Sequence, residues 1–247
     1  MSAMPVSLHH ARARFEDPSQ FVPWAMTKLY SLWVCATFPF ASRGRNLSVH
    51  YTTLWNRRMA RAIKLGNSVT IRKDAWLNTF DLSGADDELK IVIEDNCLIG
   101  ARDVISAKNC IHIEREVIIG NSVLIQDHGH AYEDLTLPIR EQGLTNGGTI
   151  RIGCACQIGQ GAAIVCTQGE LILGHHCVVT PNSVVFRSTP PYSLVGGNPA
   201  RVIERLDSSQ VSPESPAGST GGESSKVGHL GRSPEVSLTL PQAGKAR

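Results

Sequence analysis

The sequence predicts a mainly β fold: a parallel coil of short strands, preceded by a helical N-terminal segment and followed by a disordered C-terminal tail. Three observations carry this expectation. An aliphatic residue recurs at six-residue steps through most of Leu65 to Val185, often followed by Gly. An apolar stretch from Phe21 to Ala41 holds Leu29, Leu32, Trp33 and Ala36 at the spacing of one helix face. From Asp207 onward Ser, Gly, Pro, Glu and Lys dominate and no aromatic residue appears, a composition that cannot bury enough surface to order itself. The chain divides accordingly into a mobile arm over 1–20, a helical segment over 21–64, the coil over 65–206 with a long loop at 126–149, and the tail over 207–247.

Taken in order, the arm is polar and without periodicity. The segment from Phe21 is long enough to cross a bilayer, but Pro23, Lys28 and Pro39 interrupt it. An amphipathic helix packed on the domain, or one lying on a membrane surface, is expected instead. A second helix is expected over about 50–63, with Tyr51, Leu54, Trp55 and Met59 on one side and Arg57, Arg58, Arg61 and Lys64 making it basic. The six-residue rhythm then runs Leu65, Ile71, Leu77; Ile93, Ile99, Ile105; Ile113, Ile119, Ile125; Ile152, Ile158, Ile164; Leu173, Val179, Val185, with an insertion at Asp81 to Leu89. One aliphatic residue in six is too sparse for an amphipathic helix or a paired antiparallel strand. It suits a coil with three flat sides, each pointing one aliphatic residue inward, with turns of about 18 residues stacked at roughly 4.8 Å. A parallel sheet with crossover helices would need connections this stretch has no room for. Pro190 and Pro191 cannot donate to a ladder and are expected to end the stack.

The longest break in the rhythm comes after Ile125, where Gln126-Asp127-His128-Gly129-His130-Ala131-Tyr132-Glu133-Asp134 opens a Pro- and Gly-containing loop. A regular scaffold interrupted at a pair of histidines is where chemistry is expected. Composition narrows the rest. A net charge of +2 gives no strong electrostatic footprint for nucleic acid or a membrane over the whole molecule. Seven cysteines without a C-x-x-C pair read as small reduced core residues, and with no cleavable leader evident the chain is expected to be cytoplasmic, possible contact with the inner face of the membrane falling to residues 21–64.

The aliphatic-Gly hexads, closed by Val195-Gly196-Gly197-Asn198-Pro199-Ala200-Arg201-Val202-Ile203, resemble the hexapeptide-repeat acyltransferases, and among them the sugar O-acetyltransferases of bacterial polysaccharide biosynthesis. The resemblance covers about 65–206. It implies a left-handed parallel β-helix, a homotrimer, and acetyl-CoA used as co-substrate between adjacent subunits. It also implies a catalytic His130, five residues after Ile125, as general base, with His128 beside it as a second catalytic candidate. On the cofactor side it implies Gln160 and Thr180 along the pantetheine channel, and Arg187 and Arg201 near the phosphates of CoA. The chain departs from the family pattern at Gln157, where many members have Trp, and in a longer turn at 167–170. An acceptor-binding Asn has no match near Leu98, so the sugar or glycan acceptor need not be a simple one.

The chemistry suits these residue types. A neutral alcohol attacks a thioester slowly, and a neutral imidazole can take its proton at neutral pH. Asp127, Glu133, Asp134 or a backbone carbonyl could orient the ring. No Ser or Cys nucleophile and no metal is required, so direct transfer is expected. Two other readings compete: a zinc hydratase using His112, His128 and His130, and a non-catalytic β-helix that keeps the scaffold alone.

Overall fold

The computed structural model describes residues 18–80 and 88–206. The expected mobile arm, apart from residues 18–20, and the expected disordered tail lie outside the described residues. The chain begins with helix α1, Pro18–Thr37. Six three-strand coils follow. The first comprises β1 Ser42–Arg43, β2 Ser48–Val49 and β3 Leu54–Trp55; the second, β4 Ile63–Leu65, β5 Thr70–Ile71 and β6 Trp76–Thr79. The third holds β7 Ile91–Ile93, β8 Leu98–Ile99 and β9 Val104–Ala107, and the fourth β10 Cys110–Ile113, β11 Ile118–Ile119 and β12 Leu124–Gln126. The fifth is β13 Gly147–Ile152, β14 Gln157–Ile158 and β15 Ala163–Val165; the sixth, β16 Gln168–Leu173, β17 Val178–Val179 and β18 Val184–Val185. A final pair, β19 Ser193–Gly197 and β20 Ala200–Arg205, closes the stack.

Each strand of the six coils hydrogen-bonds in parallel to its counterpart one coil on, giving three sheets: a first face β1-β4-β7-β10-β13-β16, a second β2-β5-β8-β11-β14-β17 extended by β19 in parallel and then β20 antiparallel to it, and a third β3-β6-β9-β12-β15-β18. The result is the three-sided parallel coil that the hexads predict, a left-handed β-helix as the family resemblance implies. All fifteen hexad residues from Leu65 to Val185 are at most 1 % exposed. Successive Cβ atoms on a strand alternate sides, so the residue two before each hexad position also points inward. On the first face that residue is large (Ile63, Ile91, Ile111, Ile150, Leu171), and on the other two it is small or medium-sized, as at Ala75, Cys97, Cys156, Ala162 and Cys177. Cys97, Cys156 and Cys177 are thus core spacers, and all seven thiols are free. Burying each Ile or Leu contributes about 1.5–3 kcal/mol, and the interior is a column of them.

Asp103 takes one of these small inward positions at 0 % exposure. Its carboxylate accepts the N–H of Gly100 (2.6 Å) and of Val123 on the next coil (2.8 Å). Burial nonetheless pushes its pKa up to about 6.

Four expectations change. The second helix over 50–63 is replaced by the end of the first coil and a 3₁₀ turn, Met59–Ala62. Tyr51, Leu54, Trp55 and Met59 mimic helical spacing, but β3 pairs in parallel with β6, Leu54 opposite Trp76, and that ladder wins. The coil therefore starts at Ser42, one turn before the first hexad. The loop leaves after Gln126 and the ladder resumes at Gly147, so its ends at 126 and at 147–149 belong to strands. Pro190 and Pro191 interrupt the stack without ending it, since β19 pairs with β17 beyond them. Finally, α1 packs with the opposite face inward. Ser31 and Val34 are buried, the Ser31 hydroxyl accepting the Val49 N–H (2.8 Å), while Leu29, Leu32, Trp33 and Ala36 face outward.

Candidate active site

The loop leaves the prism at the edge between the third and first faces, and its root is knitted before its tip. Two limbs run back to back: Gly148 N–H donates to Asp127 O (2.7 Å), Thr145 N–H to Gly129 O (2.8 Å) and Ala131 N–H to Gly143 O (3.0 Å). The Thr145 hydroxyl accepts the Gly129 N–H at 3.0 Å, and Lys108 Nζ reaches the Thr145 carbonyl. Gly147 is required here. Its φ is +80°, and an added Cβ would lie 2.9 Å from Asn109 Nδ2 and 3.0 Å from Asp127 O.

Asp127 and His128 form the floor of this root. The Asp127 carboxylate, 0 % exposed, accepts the backbone N–H of Lys108 (2.7 Å) and Asn109 (2.8 Å) from the coil below. Its Oδ1 also lies 3.0 Å from His128 Nδ1. His128 is 4 % exposed and its ring meets Phe80 edge-on, centroids 4.5 Å apart. With Nδ1 donating to the carboxylate, a neutral His128 carries its lone pair on Nε2. His130 is different: exposed, on the limb bridged to Leu144, at the point where the root opens to solvent. The structure therefore pairs Asp127 with His128 and not with His130.

Further out, Asp134 accepts from the Thr136 hydroxyl (2.6 Å) and amide (2.9 Å), which hold its pKa below the usual carboxylate value. Tyr132, Leu135, Leu137 and Ile139 stand exposed on the tip, Leu135 at 96 %. The thiols beside the root are poor nucleophiles. Burial first, then the negative charge of Asp127, raises the Cys110 pKa, and burial raises that of Cys166.

The residues implied for the cofactor divide between two edges. Gln160 and Thr180 follow β14 and β17, so both lie on the edge between the second and third faces, linked through Asn182 N–H to Gln160 O (2.9 Å). Thr180 Oγ1 is 2.8 Å from Ser183 Oγ, which in turn accepts the Gly197 N–H (3.2 Å). Arg201 is exposed on β20, opposite Gly196. Arg187 follows β18 and so lies on the histidine edge, two coils beyond the loop. His112 lies elsewhere, on the first face, with Nε2 2.8 Å from Glu94. The three histidines of a hydratase are not gathered, and among the described residues no cluster of three ligating side chains occurs. Phe80 and Lys108 were not singled out in the sequence; they reach the root only because coils stack, and no local signal marks them.

No protein-family model matches the chain. The Mycobacterium tuberculosis protein named "Probable acetyltransferase Rv3034c" is 29 % identical over 162 residues, covering 65 % of this chain and 48 % of that protein. The chain thus spans about half the length of that relative. Among solved structures, a variant of AntD, an N-acyltransferase from Bacillus cereus in complex with dTDP and coenzyme A, matches with a TM-score of 0.60 at 18 % identity, over 72 % of this chain and 91 % of that one. AntD with dTDP and 3-hydroxybutyryl-CoA gives 0.59 at 19 %, over 73 % and 91 %. These findings bear out the resemblance to the hexapeptide-repeat acyltransferases.

Proposed function

We propose that a chain with this fold and this loop is an acyl-CoA-dependent transferase that moves an acetyl group onto a hydroxyl of a sugar or glycan intermediate. The observation that carries the reading is the loop root: an exposed histidine two residues beyond a buried Asp127–His128 pair, at the longest break in a hexapeptide-repeat coil. His130 is the general base, because an acceptor hydroxyl can reach its exposed ring. The Asp127–His128 pair positions the limb that carries it. As the acceptor oxygen attacks the thioester carbon, His130 takes its proton. The tetrahedral intermediate expels the CoA thiolate, which takes that proton back from the imidazolium. A backbone N–H at a coil corner stabilises the oxyanion.

The cofactor side is Gln160, Thr180 and Arg201, with Arg187 on the histidine edge. A site combining both edges is assembled from two protomers packed side by side, which supports a homotrimer. The outward ladder on the third face supports the same packing: Leu54, Trp76, Val104, Leu124, Ala163 and Val184 stand in register along it. Transfer to an amine is the second reading, favoured by the likeness to AntD, an N-acyltransferase.

The test is CoA release from acetyl-CoA against paired hydroxyl- and amino-sugar acceptors, free and nucleotide-linked. His130→Ala is expected to lower turnover by about 10²–10⁴-fold with CoA affinity retained. Arg201→Ala is expected to weaken CoA by about 10–100-fold, the value of a charge-assisted contact, and to spare turnover at saturation. If His128→Ala abolishes turnover and His130→Ala does not, the base is the buried ring. Turnover with amino sugars alone establishes the second reading.

A further inference from the structure

The outward face of α1 has no role in the transfer chemistry, yet it is the most apolar surface of the N-terminal region. Val22 (57 %), Met26 (44 %), Leu29 (68 %), Leu32 (69 %) and Trp33 (51 %) line it. Residues 22, 26, 29, 33 and 36 form one stripe at i, i+4, i+7 spacing. The inward face holds the helix to the coil: Ser31 bonds Val49, Val34 is buried, and Tyr30 Oη accepts Trp55 Nε1–H at 3.2 Å. The outward stripe is therefore presented on a fixed platform. A monomer seldom exposes so continuous an apolar patch without a partner.

What the patch fits is decided by its surroundings. The helix carries no Asp or Glu, and its single charge is Lys28. At its C-terminal end Trp33 packs edge-on to Phe38 (5.6 Å), and the Arg57 guanidinium lies 5.8 Å from the Phe38 ring, with exposed Arg58 next to it. Along its flank Thr27 shares a cleft of about 360 Å³ with His50, Arg72, Lys73 and Asn121, and no carboxylate lines it. Arg72 and Lys73 are exposed and in no ion pair among the described residues. An apolar stripe rimmed by cations at one end and along a side matches a bilayer with anionic headgroups: acyl chains for the stripe, phosphates for the rim. No helix among the described residues is long and apolar enough to cross a membrane, so the helix would lie in the interface.

We infer that α1 is an interfacial anchor that lays Val22, Met26, Leu29, Leu32 and Trp33 into an anionic membrane, with Arg57, Arg58, Arg72 and Lys73 meeting its headgroups. The inference stands independently of the acyl-transfer reading. The test is co-sedimentation of the full chain with phosphatidylcholine vesicles, with and without phosphatidylglycerol, at low and high salt. Binding to the anionic vesicles, weakened by salt and accompanied by a blue shift of Trp fluorescence, is expected. Leu29→Glu/Leu32→Glu should abolish binding while leaving the circular dichroism unchanged, since both side chains already face outward. Arg58→Ala/Lys73→Ala should weaken binding to anionic vesicles by about five-fold per charge removed. Failure of the wild type to bind, or equal binding by the double-Glu variant, overturns the inference. So does a wild type that ignores vesicles while the double-Glu variant changes the size of the oligomer, because the face then belongs to a second copy.

Discussion

Replacing Asp127 with Ala tests whether the loop root is built as described. The carboxylate accepts three hydrogen bonds at 0 % exposure, from Lys108 N, Asn109 N and His128 Nδ1. Ala leaves the backbone amides of half-buried Lys108 and Asn109 without acceptors, each costing about 1–3 kcal/mol, and releases the His128 ring. The two amides alone sum to about 2–6 kcal/mol, a large share of a typical stability of about 5–15 kcal/mol. Asp127→Asn keeps one acceptor oxygen but turns an NH₂ toward a donor, and is expected to cost about half as much. The assay is urea unfolding at fixed protomer concentration, read as a shift in midpoint at constant slope. Hydrogen exchange at Gly148, whose amide donates to Asp127 O, reports the root directly. An Asp127→Ala protein within about 1 kcal/mol of wild type, with Gly148 still protected, would refute the argument, because the carboxylate would then not be what ties the loop to the coil below.

Three further outcomes are expected. Asp127→Asn combined with His128→Ala should show a coupling of about 0.5–3 kcal/mol in a double-mutant cycle, and additivity would mean the 3.0 Å contact carries no energy. Gly100→Ala should cost at or above the upper end of about 1–3 kcal/mol, since its Cβ would lie 1.9 Å from the Gly120 carbonyl oxygen of the next coil; thermal unfolding near the wild-type midpoint would contradict this packing. Asp103 sets a pH dependence with a definite sign. Burial raises its pKa from 3.8 to about 6, so its contribution to stability is greatest below the unfolded value and is lost as pH rises through about 6. Relative to Asp103→Asn, the wild type should gain stability between pH 7 and pH 5, by up to about 3 kcal/mol over the full range, and parallel melting curves would remove the effect.

The sequence by itself determined the coil from Leu65 onward and the edge at which it opens. An inward residue on a two- or three-residue strand is a local fact: the strand has one core side, and a polar residue there would be buried without a partner. Ile119 and Ile125 are legible for that reason, and so is the departure after Gln126. Where the pattern rested on contacts between coils, only the tertiary structure could decide. Residues 42–55 hold the hexad positions Arg43, Val49 and Trp55 with a single aliphatic residue among them, too thin a pattern to read, and their strands exist because β4, β5 and β6 offer them a ladder. The periodicity of α1 announces an apolar stripe but is silent on what covers it, and the Ser31–Val49 bond turned that stripe outward. The order Asp127-His128-Gly129-His130 allows the carboxylate either imidazole. The amides of Lys108 and Asn109, one coil below, fix the carboxylate in the core, and from there His128 is the ring within reach.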